Sequence, residues 1–168
     1  MSAAVFASVK RKFYNLPDPP GFSISCTPAS YARIFQALNH SPSSVLYEVG
    51  CGKGYLMLYA LVCGIRTVQA MDIEQPSVDR SRYALEQCTV DPRFSSMMLG
   101  ADVKFSTGDG LLMPLPEGVT IVSSIVAWTM AQFETMLQNV IDSRCLHWVT
   151  LIEGFAQWRM SRVLLASF

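Results

Sequence analysis

Glu48, Gly50, Cys51, Gly52 and Gly54 stand close together in Tyr47-Glu48-Val49-Gly50-Cys51-Gly52-Lys53-Gly54. One apolar run, Val45-Leu46-Tyr47, precedes this stretch and another, 55–62, follows it. Glycines between a strand and a helix let backbone pass close to a ligand without Cβ interference. The helix start then aims its N–H groups at that ligand. A dinucleotide fingerprint, G-x-G-x-x-G, would need its third glycine at the position of Tyr55. A P-loop is excluded because G-x-x-x-x-G-K-S/T does not occur. The stretch therefore reads as a small-molecule cradle that fits the dinucleotide pattern badly. A carboxylate, Asp72, follows about 20 residues later, where it is placed to accept hydrogen bonds from a ribose diol. Asp109, inside Gly108-Asp109-Gly110, is suited to accept from an exocyclic amine while the adjacent backbone N–H meets a ring nitrogen. Together these features describe an adenosine-type ligand without a long phosphate tail. On residues alone, blander readings stay open: a plain strand–helix turn at the glycines, a helix cap at Asp72, and a turn aspartate at Asp109.

The elements that must hold these residues alternate. Residues 45–49, 67–71, 103–106, 119–126 and 148–152 read as strands, the second ending at Asp72 and the third near Asp109. Residues 53–63 read as a helix apolar nearly all round, stopped by Gly64. Residues 76–88 read as a polar-faced helix, and 130–141 as a helix with Phe133, Met136, Leu137, Val140 and Ile141 on one face. Strands alternating with helices imply parallel pairing through crossovers, hence an α/β sheet covered on both faces. Ligands of such sheets sit beyond the carboxyl ends of the strands, and each candidate residue falls at such an end.

Upstream, residues 13–28 hold four of the nine prolines and read as an extended arm. Thr27-Pro28 starts a helix whose apolar face is Tyr31, Ile34, Phe35 and Leu38. We therefore divide the chain into an N-terminal arm or cover, 1–26, and one domain, 27–168. Downstream, 163–168 suits a sixth strand.

At 168 residues the chain is one domain by size. Formal net charge is zero, which gives no global pull toward nucleic acid or anionic membrane. No apolar run approaches the roughly 18 residues needed to span a bilayer. Five scattered cysteines (26, 51, 63, 88 and 145) and two distant histidines, His40 and His147, show no zinc-site spacing, so no metal is expected. Reduced, buried thiols fit an intracellular protein of the cytoplasm or nucleus.

The order Y-E-V-G-C-G-K-G, V-Q-A-M-D-I-E, V-K-F-S-T-G-D-G resembles motifs I, II and III of the class I S-adenosylmethionine-dependent methyltransferases, over roughly 27–153. The resemblance implies a Rossmann-like doubly wound, mostly parallel sheet. Within it, Glu48, Gly50, Cys51, Gly52 and Gly54 would form the loop along the methionine part of S-adenosyl-L-methionine. Asp72 would hold the ribose hydroxyls, with Glu74 as its alternate, and Ile73 would pack on the adenine. Asp109 would take the adenine amino group, with Gly110 beside it. Ser123, Ser124 and Trp128 would form the acceptor pocket, closed from above by Tyr14 and Phe22 of the arm. T-P-A-S-Y-A-R-I with V-L-Y-E-V-G-C-G-K-G-Y-L is also similar, more weakly, to the non-SET histone-lysine methyltransferases. Those carry an asparagine-rich motif after the fourth strand, where this chain has Ser123-Ser124-Ile125-Val126-Ala127-Trp128. The implied activity is methyl transfer to a protein side chain or small molecule; the alternative is an inactive binding or scaffold protein of the same fold. The family sheet has seven strands, so this chain reads as shortened at its C-terminus, and an uncovered apolar edge suggests a homodimer or a partner chain.

Overall fold

The computed structural model describes residues 34–36, 38, 41, 43–92, 94–124, 128–152 and 162–167. The arm at 1–26, with Tyr14 and Phe22, and the start of the first expected helix lie outside them. So do Ile125, Val126 and Ala127.

Among the described residues, these elements follow one another from Val45 on. They are β1 (Val45–Val49), α1 (Tyr55–Val62), β2 (Thr67–Asp72), α2 (Gln75–Val90), α3 (Ser95–Met98), β3 (Asp102–Thr107), β4 (Thr120–Ser124), α4 (Met130–Ser143), β5 (His147–Ile152) and β6 (Arg162–Ser167). The sheet order is β3-β2-β1-β4-β5-β6. The first five strands are mutually parallel. β6 is antiparallel to β5, pairing Ile152 with Arg162 and His147 with Ser167. Strand order runs outward from β1 to β3, then restarts on the other side of β1 with β4. The switch point thus lies at the carboxyl ends of β1 and β4, where ligands of doubly wound sheets sit.

Side-chain alternation sends each strand's residues to two cores. Leu46, Val68, Val122 and Val149 join α1, Ala84 and Cys88 of α2, Ile34, Phe35, Leu38 and Phe94. Tyr47, Val49, Met71, Ile121 and Trp148 face the other way, onto Met136 and Val140 of α4. α1 is buried over Tyr55–Leu61, as its all-round apolar sequence requires. α2 buries a stripe of small residues, Ser77, Val78, Ser81, Ala84 and Cys88, which lets it lie close to the glycine loop. α4 starts at a capping box: the Thr129 hydroxyl accepts from the Gln132 N–H while the Gln132 side chain accepts from the Thr129 N–H.

Sequence periodicity finds every long element within a few residues. α3 escapes it because four residues are less than two helical turns. Buried Phe94 anchors it, and the Arg66 guanidinium donates to the Met97 and Leu61 carbonyls. The β3 edge is polar: Asp102 and Lys104 pair at 3.0 Å, and Arg82 donates to the Phe105 carbonyl. Charges along an edge disfavour strand addition there. Among the described residues no helix is long and apolar enough to cross a membrane.

Leu46 is fully buried at the centre of the larger core. Leu46→Ala is expected to destabilise the chain by about 2–5 kcal/mol in urea unfolding; a loss under about 1 kcal/mol would contradict this core assignment.

Candidate functional site

Beyond the carboxyl ends of β1, β2 and β3 lies an open cleft of about 150 Å³. Gly50, Asp72, Ile73, Asp109, Gly110 and Trp128, six of the residues singled out by sequence, line it together. Val49, Met71, Gly108, Leu111 and Gln132 complete the lining.

Hydrogen bonds to the end of β2 set the glycine loop. The N–H groups of Gly50 and Cys51 both donate to the Met71 carbonyl, at 2.8 and 2.9 Å. The Gly52 N–H donates to Asp72 Oδ2 at 2.8 Å, and the Glu74 N–H to Asp72 Oδ1 at 2.9 Å. Asp72 is thus held by one donor on each oxygen, with lone pairs left for a ligand hydroxyl. Gly50, Gly52 and Gly54 all have positive φ (85°, 49° and 72°), which a residue with a Cβ rarely adopts. Ile73, next along the chain, is 65 % exposed, an apolar side chain held at the cleft in water.

A second turn carries the other carboxylate. The Gly108 N–H donates to the Asp72 carbonyl at 2.9 Å, tying the end of β3 to that of β2. Asp109 Oδ1 accepts from the Leu111 N–H at 2.9 Å, closing an Asx turn. The Leu111 carbonyl accepts from the Asn139 side chain at 2.7 Å, which fixes this wall to α4. Gly110 leaves no room for a side chain: a Cβ there would lie 2.4 Å from Val49 Cγ1 and 3.2 Å from Met71 Sδ.

Four other residues singled out by sequence, Glu48, Cys51, Gly52 and Gly54, are not part of this lining. Glu48 is only 7 % exposed, and its Oε2 has no hydrogen-bond partner. Burial, and secondarily the charge of Asp72, push its carboxyl well above the usual carboxylate range. Burial likewise pushes the Cys51 thiol far up, with Glu48 adding to the effect. That direction disfavours the thiolate, the reactive form of the side chain.

The acceptor wall divides. Trp128 lines the cleft. Ser123 does not: it is buried on β4, and its hydroxyl accepts from Trp148 Nε1 at 3.0 Å. Alternation on the strand turns it into the α4-side core, which a count of positions past the strand start does not register. The Ser124 side chain lies outside the described residues. Gln132 lines the cleft without having been anticipated, although Thr129-x-x-Gln132 is a legible capping box just past Trp128. Among the described residues no group of three or more His, Cys, Asp or Glu is placed to hold a metal ion.

No family model matches the chain, and no curated protein matches it. Solved structures do. The 23S rRNA methyltransferase ErmE matches at TM-score 0.59 and 15 % identity, over 78 % of this chain and 48 % of its own. A dimethyladenosine transferase from Plasmodium falciparum matches at TM-score 0.59 and 16 % identity, over 79 % of this chain and 44 % of its own. The glycopeptide N-methyltransferase MtfA, crystallised with S-adenosylhomocysteine, matches at TM-score 0.61 and 16 % identity, over 88 % of this chain and 67 % of its own. The chain spans about half the length of the first two. At these identities the likeness is one of fold: the chain has the Rossmann-like α/β fold of class I methyltransferases.

Gly110→Ala is expected to cost about 1–3 kcal/mol, because Val49 and Met71 must move; unchanged stability would show that the wall is loose. Glu48 gives a pH signature. A carboxyl raised in the folded state makes its contribution below the unfolded value of roughly 4.3, and loses it as pH rises through the folded value. Glu48→Gln removes this titration. The variant is therefore expected to gain stability over wild type as pH rises from about 4.3 towards neutrality, read by urea unfolding across that range. Parallel wild-type and variant curves would contradict the burial of an ionisable carboxyl there.

Proposed function

We propose that the chain binds S-adenosyl-L-methionine in this cleft and transfers its methyl group to an acceptor. The observation that carries the reading is the pair Asp72 and Asp109, at successive strand ends, facing one cleft beside a glycine loop. Asp72 keeps lone pairs for a ribose diol. Asp109 suits an exocyclic amine, and exposed Ile73 offers an apolar face to a flat base. Glu48, outside the lining, keeps a buried carboxyl oxygen without a hydrogen-bond partner close behind the loop. The residues present therefore fit the cofactor.

When bound, the cofactor supplies an activated methyl group on a sulfonium. The chain's task is then positioning, which contributes as much as about 7–11 kcal/mol when reacting atoms are well aligned. The glycine loop and the two aspartates would hold the nucleoside and amino-acid ends. Leu111, Trp128 and Gln132 would shape the side from which an acceptor enters. The described lining holds two carboxylates and no Lys, Arg or His. With both carboxylates committed to the cofactor, the remaining wall of Leu111, Trp128 and Gln132 is uncharged and suits a neutral acceptor, such as a protein side chain or small molecule. ErmE acts on 23S rRNA by its own description; the lining here gives no matching basic surface among the described residues.

A second reading, cofactor binding without transfer, is favoured by Ser123: its hydroxyl is committed to Trp148 rather than to the cleft. Methyl-labelled cofactor incubated with cell extracts separates the two. Label passing to an extract component in proportion to added chain supports transfer; saturable binding with no such label supports the scaffold.

Trp128 in the lining offers an optical signal. Titration of S-adenosylmethionine is expected to change tryptophan fluorescence, with Asp72→Ala and Asp109→Ala each raising Kd by about tenfold or more. A wild-type Kd retained in both variants would overturn the assignment of the two carboxylates.

A further inference from the structure

We propose that Ser81, a residue of α2 remote in sequence from the cradle, positions the glycine loop and through it the Asp72 carboxylate. The inference rests on the reading of the cleft as an S-adenosylmethionine site.

Ser81 has no exposed surface. Its Oγ lies 3.2 Å from the Gly52 carbonyl and 3.7 Å from Cys51 Sγ. A hydroxyl has one hydrogen to give, and the carbonyl is the stronger acceptor. The Gly52 N–H donates to Asp72 Oδ2 at 2.8 Å. One residue of the loop is thus clamped from two sides: its carbonyl by α2, its N–H by the carboxylate at the end of β2. The clamp needs close approach. A Cβ on Gly54 would lie 2.9 Å from Ser81 Oγ and 3.3 Å from Ser81 Cα, and Gly54 has φ of 72°. Position 54 must therefore be glycine for α2 to reach the loop, and position 81 must be small.

Removing the hydroxyl frees the Gly52 carbonyl. The 52–53 peptide loses that restraint, and the adjoining 51–52 peptide, whose N–H donates to Asp72 Oδ2, is held less firmly across the soft torsions of Gly52. Ser81 touches no ligand in this account; it acts through Gly52.

Two measurements test this. The first needs no ligand. Amide exchange in Ser81→Ala is expected to speed up at Gly52 by about five- to tenfold, the equivalent of one neutral hydrogen bond, while Leu46 and Val68 keep wild-type rates. Unchanged exchange at Gly52, or equal acceleration throughout, overturns the positioning role. The second is a double-mutant cycle on S-adenosylmethionine Kd, measured calorimetrically. Ser81→Ala is expected to raise Kd about five- to tenfold in the wild-type background and less than about twofold beside Asp72→Ala. An equal factor in both backgrounds makes Ser81 merely structural. Should Ser81→Ala fail to fold, Ser81→Cys, slightly larger and a much weaker donor, takes its place; wild-type exchange at Gly52 in that variant overturns the proposal. A wild-type chain that binds no S-adenosylmethionine sinks the functional reading of the cleft, while the exchange measurement still decides the role of Ser81.

Discussion

Three consecutive N–H groups, on Gly50, Cys51 and Gly52, have no strand or helix to bond within, and all three end on the last two residues of β2. Two donate to the Met71 carbonyl and one to the Asp72 carboxylate. Buried backbone donors must find partners, so this loop closes only if β2 stops beside β1 in the observed register, Val49 against Met71. The rest of the site inherits that arrangement. It aims Asp72 at the cleft, starts α1 where its apolar surface enters the core, and puts Gly108 within reach of the Asp72 carbonyl. Strand ends, loop and cleft are one hydrogen-bonded unit.

The electrostatics follow from the same geometry. Three carboxyls, of Glu48, Asp72 and Asp109, gather at three strand ends. They differ in how water and donors reach them. Asp72 and Asp109 accept backbone N–H groups at the cleft surface. Glu48 is buried with an unsatisfied oxygen, and that burial raises its carboxyl well above the usual range. Burial of an isolated carboxylate is costly, and protonation relieves it.

Much of this was legible in the sequence, for physical reasons. The loop was legible because few residue types tolerate its backbone and glycine is the commonest of them. Asp72 and Asp109 were legible because strand periodicity placed them at carboxyl ends, where α/β sheets keep their ligands. Ser123 shows where that logic runs out: being near a strand end does not say which face a side chain takes, and Trp148 claimed it. Gln132 was missed although its capping box was readable, because a cap says where a helix starts and nothing of what lies beside it. Ser81 was invisible for a different reason. Its role depends on how closely α2 packs on the loop, a distance fixed by Gly54 and by tertiary contact. The ErmE and MtfA likenesses rest on the same backbone, at identities that carry fold alone.

Equilibrium dialysis of the full chain against methyl-labelled S-adenosylmethionine tests the central claim most directly. The account predicts saturable binding at one site per chain, displaced by unlabelled S-adenosylhomocysteine. Label that stays equally distributed across the membrane at every concentration, with the chain folded by circular dichroism, would contradict it.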